Sequence, residues 1–193
     1  MTRNTAFLSA ALLAALFLNA CKKDKVDPST PSTPPVNEEE LITTLRLHLR
    51  STGGTQDLEL LFRDIDGDGG TAPVIEADAL STDTVYNVEI AVLNESVTPP
   101  DVITEEIEEE GDAHQFFFQV TGADVSTAYT DADANGQPIG INSTWTAGAA
   151  STGNVTVTLR HQPVKDAAGV SSGDITNAGG ETDIEVTFPL TVQ

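Results

Sequence analysis

Apolar and polar residues alternate in short runs from Leu41 to the end of the chain. In the first run, Leu45, Leu47 and Leu49 share one parity, while His48 lies on the other. Because successive side chains of a strand point to opposite faces, such a run predicts a strand with one buried face. The same alternation recurs at 56–65, 85–94, 114–120, 154–161 and 184–192, and more weakly at 74–80.

These runs are separated by Gly, Asp and Asn turns, which predicts an all-β fold. We expect an immunoglobulin-like antiparallel β-sandwich of about seven strands spanning residues 41–193. The paired cysteines of the immunoglobulin disulfide are absent, since the chain has one cysteine. One short acidic helix is predicted after Pro99-Pro100-Asp101, with Val102, Ile103 and Ile107 as its buried stripe and Gly111 as its end.

The first 20 residues carry a different pattern. Arg3 precedes a short apolar run, AFLSAALLAALFL, which is below the roughly 20 residues that span a bilayer. The following Leu18-Asn19-Ala20-Cys21 resembles a lipobox, with Asn19 in place of the usual small residue. We therefore expect residues 1–20 to be a lipoprotein signal peptide and Cys21 to be lipidated. The alternative is an ordinary signal peptide followed by a chance cysteine.

Residues 21–40 are rich in Pro, Ser and Thr and end in three glutamates. Closely spaced prolines favour an extended chain that forms no core. This segment is predicted to be a tether between a lipid anchor and the folded domain. The expected location is the outer membrane, with the domain facing the periplasm or the cell surface.

The chain is strongly acidic, with 30 acidic against 9 basic side chains and a formal charge of -21. Such a surface repels phosphate backbones and anionic lipid headgroups, so nucleic acid is disfavoured as a partner. It suits solubility, cation binding or a basic protein partner, and the charge alone leaves these alternatives open.

Two loops place carboxylates at alternate positions ahead of a glycine, a pattern that suits calcium. They contain Asp64, Asp66 and Asp68 in the first loop, and Asp131, Asp133 and Asn135 in the second. The complete helix–loop–helix motif requires a bidentate glutamate at its twelfth position, where this chain has Ile75 and Asn142. Weak calcium sites are one interpretation of these loops, and acidic turns are the other.

The densest acidic segment lies in and after the predicted helix. Its candidate ligands for a transition metal such as zinc or copper are Glu106, Glu109, Glu110, Asp112 and His114. Glutamates are unfavourable at the negative end of a helix, so a bound cation or a basic partner would relieve the repulsion. Carboxylate and imidazole ligands together suit zinc or another transition metal. His48 and His161 are further candidates, and a solvated acidic helix is the alternative.

Signatures of catalysis are weak. Ser171 lies in a G-x-S-x-G sequence, but that motif works on a strand–turn–helix elbow of an α/β fold. The chain has no H-E-x-x-H, phosphate-loop or dinucleotide fingerprint. The sequence therefore predicts a protein that is not an enzyme. Trp145, the single tryptophan, is either a core anchor or a sugar platform.

Four stretches of the chain are distinctive: DIDGDGGTAP from Asp64, ITEEIEEEGDAHQFFF from Ile103, ADANGQPIGINSTWTAGAASTGNVTVTLRHQP from Ala132 and ETDIEVTFPL from Glu181. Together they resemble a family of small outer-membrane lipoproteins of the Bacteroidetes group. The resemblance implies an outer-membrane lipoprotein, with a TonB-dependent receptor as an implied partner. Some members are labelled as a type 1 periplasmic-binding fold, a larger α/β architecture that the alternating strands of this chain do not support.

The sequence thus favours a membrane-anchored lipoprotein with an acidic, metal-binding surface, as accessory to a TonB-dependent uptake receptor. Zinc, copper and calcium are the candidate metals. The alternative is a structural or adhesive surface module without a ligand of its own.

Replacing Cys21 by Ser tests the anchor. We expect the native protein to be acylated at Cys21 and to partition with membranes, and Cys21→Ser to be released into the aqueous fraction, because the sole acylation site is lost. Mass spectrometry and membrane fractionation measure both. A native protein that is unacylated and still begins at Met1 would contradict the prediction.

Overall fold

The computed structural model describes residues 41–67 and 70–193. The predicted signal peptide, the tether with Cys21, and Asp68 of the first acidic loop lie outside the described residues. The described strands are β1 (Thr44–Ser51), β2 (Asp57–Arg63), β3 (Val74–Ala77), β4 (Thr84–Asn94), β5 (Asp101–Val102), β6 (His114–Thr121), β7 (Val125–Tyr129), β8 (Asn142–Ala147), β9 (Ser151–His161) and β10 (Glu181–Val192). The helix α1 spans Ile103–Glu109, and short 3-10 turns at Val170–Ser172 and Ile175–Asn177 lie between β9 and β10.

The strands form two antiparallel sheets. The larger sheet has the order β3-β2-β1-β4-β8-β7, with β5 paired to β4, and the smaller has the order β10-β9-β6. The all-β sandwich with one short helix is thereby confirmed. Ten strands are described where about seven were expected. The alternation missed β7 and β8 because their sequences, VSTAY and NSTWTA, consist largely of small and hydroxyl-bearing residues.

The core lies between the inner faces of the two sheets. Leu45, Leu47 and Leu49 of β1 are fully buried, as their shared parity predicts. Trp145 is also fully buried, and the ring of Phe118 lies edge-on to it with 5.6 Å between centroids. Trp145 is therefore a core anchor and offers no surface for a sugar.

The two sheets are joined at both margins by backbone hydrogen bonds. On one side, the Ile139 carbonyl accepts from Phe116 of β6 at 2.7 Å, and the Ile141 carbonyl accepts from Ile90 of β4 at 2.8 Å. On the other side, Leu80 forms a parallel bridge with Val192 of β10. These links satisfy edge groups that a sandwich otherwise exposes.

The helix α1 connects the larger sheet to the first strand of the smaller one. Ile103 and Ile107 are buried as predicted, but Val102 belongs to β5 and is 45% exposed. The Thr104 hydroxyl accepts from the Val92 amide at 2.7 Å and so fixes the helix against β4. No helix in residues 41–67 or 70–193 has the length and hydrophobicity that crossing a membrane requires.

The carboxylate of Glu95 connects β1, β2 and the chain after β4. Its Oε2 atom accepts from Thr44 Oγ1 and from Arg63 Nε, each at 2.6 Å. The hydrogen bonds from Thr44 and Arg63 lower the pKa of Glu95 below its ordinary value of 4.5. The ionised carboxylate is therefore the form that the fold favours.

Glu95→Gln is expected to destabilise the domain by about 0.5–1.5 kcal/mol at pH 7, since it removes a charged acceptor whose partner Arg63 is partly solvated. The folded pKa is depressed, so this stability is present above pH 4.5 and is lost as the pH falls through the lower folded value. Urea unfolding measured at several pH values between about 3 and 7 checks both. Glu108→Gln, on the exposed face of α1, is the control, and an equal loss in both variants would contradict the prediction.

Candidate metal centre

Two of the three histidines meet across β6 and β9. His114 is the direct register partner of His161, as Phe116 is of Leu159 one step further along the same face. The Gln162 amide bonds to the Ala113 carbonyl, so His114 and His161 form a pair without mutual backbone bonds, the closer kind in an antiparallel ladder. Both histidines therefore continue the inward face of the core at the end of the smaller sheet.

The two imidazoles are in contact and largely buried. His114 Nε2 lies 3.0 Å from His161 Nδ1, and the ring centroids are 4.7 Å apart. His114 Nδ1 lies 3.2 Å from the backbone carbonyl oxygen of Glu110. Because a carbonyl only accepts, Nδ1 of His114 carries the proton, and Nε2 of His114 accepts the hydrogen bond that His161 Nδ1 donates. A carbonyl on the far ring nitrogen is the usual orienting contact of a metal-binding histidine.

A carboxylate completes the group. Asp183 is the residue that the β9–β10 register skips, at a bulge between Thr182 and Ile184. Its Oδ2 atom lies 3.9 Å from His114 Nε2. Bulges re-aim side chains and recur beside functional sites. The bulge thus places a carboxylate beside the histidine pair.

The dimensions of the group suit a small divalent ion. One ligand atom from each of His114, His161 and Asp183 lies within 4.8 Å of the other two. Tetrahedral zinc with ligand bonds of about 2.0–2.1 Å holds its ligand atoms about 3.3 Å apart. The histidine nitrogens, 3.0 Å apart, lie close to that spacing, and Asp183 Oδ2, 3.9 Å from His114 Nε2, has to move closer to reach it.

Electrostatics favours the ligand form of His114. Burial lowers the pKa of His114 below its ordinary value of 6.5, although the hydrogen bond to the Glu110 carbonyl opposes this. The imidazole is therefore neutral at pH 7, which is the form that binds a metal.

The acidic segment proposed from sequence contributes less to this group than expected. Glu106, Glu109, Glu110 and Asp112 have exposed side chains. In the described part of the chain, the set of ligand atoms that converges is that of His114, His161 and Asp183. Glu110 takes part through its backbone carbonyl. A metal-binding role for the exposed carboxylates stays a prediction.

The first acidic loop forms turns around its own aspartates. Asp64 Oδ1 accepts from the Gly67 amide at 3.0 Å, and Asp66 Oδ2 accepts from the Thr71 amide at 2.8 Å. The hydrogen bond from Thr71 lowers the pKa of Asp66. These contacts are those of an acidic turn, and calcium binding here stays a prediction.

The second acidic loop is more fully bonded. Asp131 accepts from the amides of Gly140 and Asn142 at 2.8 and 2.7 Å. Asp133 accepts from the Asn135 amide through Oδ1 at 2.8 Å and from Lys165 Nζ through Oδ2 at 3.0 Å. Backbone amides and an ammonium thus occupy carboxylate oxygens that calcium would use.

Sequence reasoning identified His114 as a candidate ligand and His161 as a further candidate, but it did not identify Asp183. His161 ends the apolar parity of its run, as His114 begins that of 114–120, and this shared parity was the available signal. No such signal marks Asp183, because the alternation of the last run begins at Ile184 and the bulge forms only when β10 pairs with β9.

Comparison of the chain with protein-family models, with curated proteins and with solved structures gives no match. The geometry of the site is therefore the basis for its functional interpretation.

The tautomer of His114 in the metal-free protein can be measured directly. In metal-free protein near pH 7 we expect Nδ1 to be protonated and Nε2 unprotonated, because the Glu110 carbonyl accepts the Nδ1 proton. Long-range ¹H–¹⁵N spectra of the imidazoles distinguish the two nitrogens. A His114 with its proton on Nε2 would contradict the orientation of the site.

Proposed function

We propose that this protein binds one divalent transition-metal ion through His114 Nε2, His161 Nδ1 and Asp183, with the Nδ1 proton of His161 released as the ion binds. The observation that carries the proposal is the convergence of two imidazoles and a carboxylate within 4.8 Å at the end of the smaller sheet. The carbonyl that orients His114 and the bulge that brings in Asp183 both support a ligand role.

The donor set favours zinc or copper over calcium. Calcium takes about six to eight oxygen ligands, whereas imidazole nitrogen suits zinc and copper. Two nitrogens and one oxygen leave a coordination position for water or an external ligand. The site therefore has the composition of an exchangeable transition-metal site rather than a closed structural one.

The proposed setting is the outer membrane, with the domain facing the periplasm or the cell surface. Cys21 and the tether would hold the domain at the outer membrane, and the acidic surface would favour cations or a basic protein partner. An accessory role beside a TonB-dependent uptake receptor is the association that the family resemblance suggests. These parts of the proposal rest on the sequence.

Metal binding is tested by titrating apo protein with zinc and with copper(II) while recording heat and melting temperature. We expect one ion per chain and a higher melting temperature, since a ligand of the native state stabilises it by about 2.7 kcal/mol at a hundredfold excess over Kd. His114→Gln and Asp183→Asn should each weaken binding, because each removes one of three ligands.

The chain supplies a matched control in His48. This histidine lies on the outer face of the larger sheet, where its Nε2 atom contacts Asp57 Oδ1. His48→Gln should leave stoichiometry and affinity unchanged. Binding that survives His114→Gln and is lost in His48→Gln would place the metal elsewhere, and no binding at all would leave a structural or adhesive module as the function.

A further inference from the structure

Lys165 is a buried cation close to the metal centre. It is the single lysine between residues 41 and 193 and is 7% exposed. Its Nζ atom donates to the carbonyl of Gly111, to the carbonyl of Pro138 at 2.9 Å and to Asp133 Oδ2 at 3.0 Å. An ammonium has three protons, so these acceptors satisfy it completely.

The ammonium of Lys165 is paired with a carboxylate of the second acidic loop. Burial raises the pKa of Asp133, but hydrogen bonds from the Gln137 amide and from Lys165 outweigh it, so the pKa lies below its ordinary value. Asp133 is therefore ionised, and Lys165 supplies the balancing charge. Asp133 of the second predicted calcium loop is therefore paired with Lys165, a cation from the same chain.

The three acceptors lie in two segments, the turn between α1 and β6 and the loop between β7 and β8, which Lys165 joins to the chain after β9. Gly111 lies in the turn between α1 and β6, three residues before His114, whereas Lys165 follows His161 by four residues. The carbonyls of Glu110 and Gly111 are consecutive in that turn. The first accepts from the His114 ring and the second from Lys165.

We propose that Lys165 is the positioning residue of the metal centre. By holding the Gly111 carbonyl, it fixes the turn so that the Glu110 carbonyl receives the Nδ1 proton of His114 and Nε2 faces His161. The functional importance of Lys165 rests on the proposed metal binding. Its effect on the His114 tautomer, by contrast, is present in the metal-free protein.

The experiment compares Lys165→Met with Asp133→Asn. Both variants disrupt the buried ion pair and should lower the melting temperature. Asp133→Asn keeps the ammonium on the Gly111 carbonyl, so the His114 tautomer and the zinc affinity should stay near those of the native protein. Lys165→Met frees the turn, and we expect a mixed tautomer with zinc affinity reduced about ten- to a hundredfold, as for other partners behind metal ligands.

Each outcome decides the proposal. Equal effects of the two variants on tautomer and affinity would reduce Lys165 to a general stabilising role, and native behaviour of Lys165→Met would overturn the inference outright. Lys165→Gln, which keeps an uncharged donor, replaces Lys165→Met if the latter does not fold. If the native protein binds no zinc, the proposed function fails, while the ¹⁵N spectra of the apo variants still decide the role of Lys165.

Discussion

The antiparallel register of β6 against β9 is the constraint on which core and site both depend. It places Phe116 opposite Leu159 and Phe118 opposite Val157 on the inner face of the smaller sheet. The same register continues outward to His114 and His161 at the end of the ladder. Because side chains alternate with a period of two, a slip of one residue would turn the whole set to the other face. The hydrophobic core therefore specifies the histidine pair.

This end of the sandwich concentrates buried polar groups that satisfy one another. Lys165 and Asp133 form a buried ion pair with side chains 7% and 2% exposed. Removing one partner of such a pair leaves an uncompensated charge and costs about 3–5 kcal/mol. Through its bonds to Asp133 and to the Gly111 carbonyl, Lys165 thus holds three loops together at the edge of the core, next to His114, whose uncharged form is favoured by burial. Rigidity around a ligand set is what metal affinity requires.

The patterns along the sequence predicted carboxylate and imidazole ligands, but they did not predict which of these residues lie close together. The acidic run around Glu109 stays on the surface, because a short helix with Ile103 and Ile107 on its buried face leaves its glutamates to solvent. The aspartates of the loops bond to nearby amides, which compete with any metal for carboxylate oxygens. His114 differs because it shares the parity of the core residues that follow it.

Local patterns in the chain are enough to specify several of the strands and the helix. Alternation located β1, β4, β9 and β10, and the prolines and Gly111 bounded the helix, because a strand or helix with one apolar face repeats its own period. Which polar residues come into contact depends on how distant segments pack together. His114 and His161 are 47 residues apart, and Asp183 reaches them through a bulge that exists only when β10 is paired with β9. Register and bulges are set by contacts between distant segments, which no local pattern encodes.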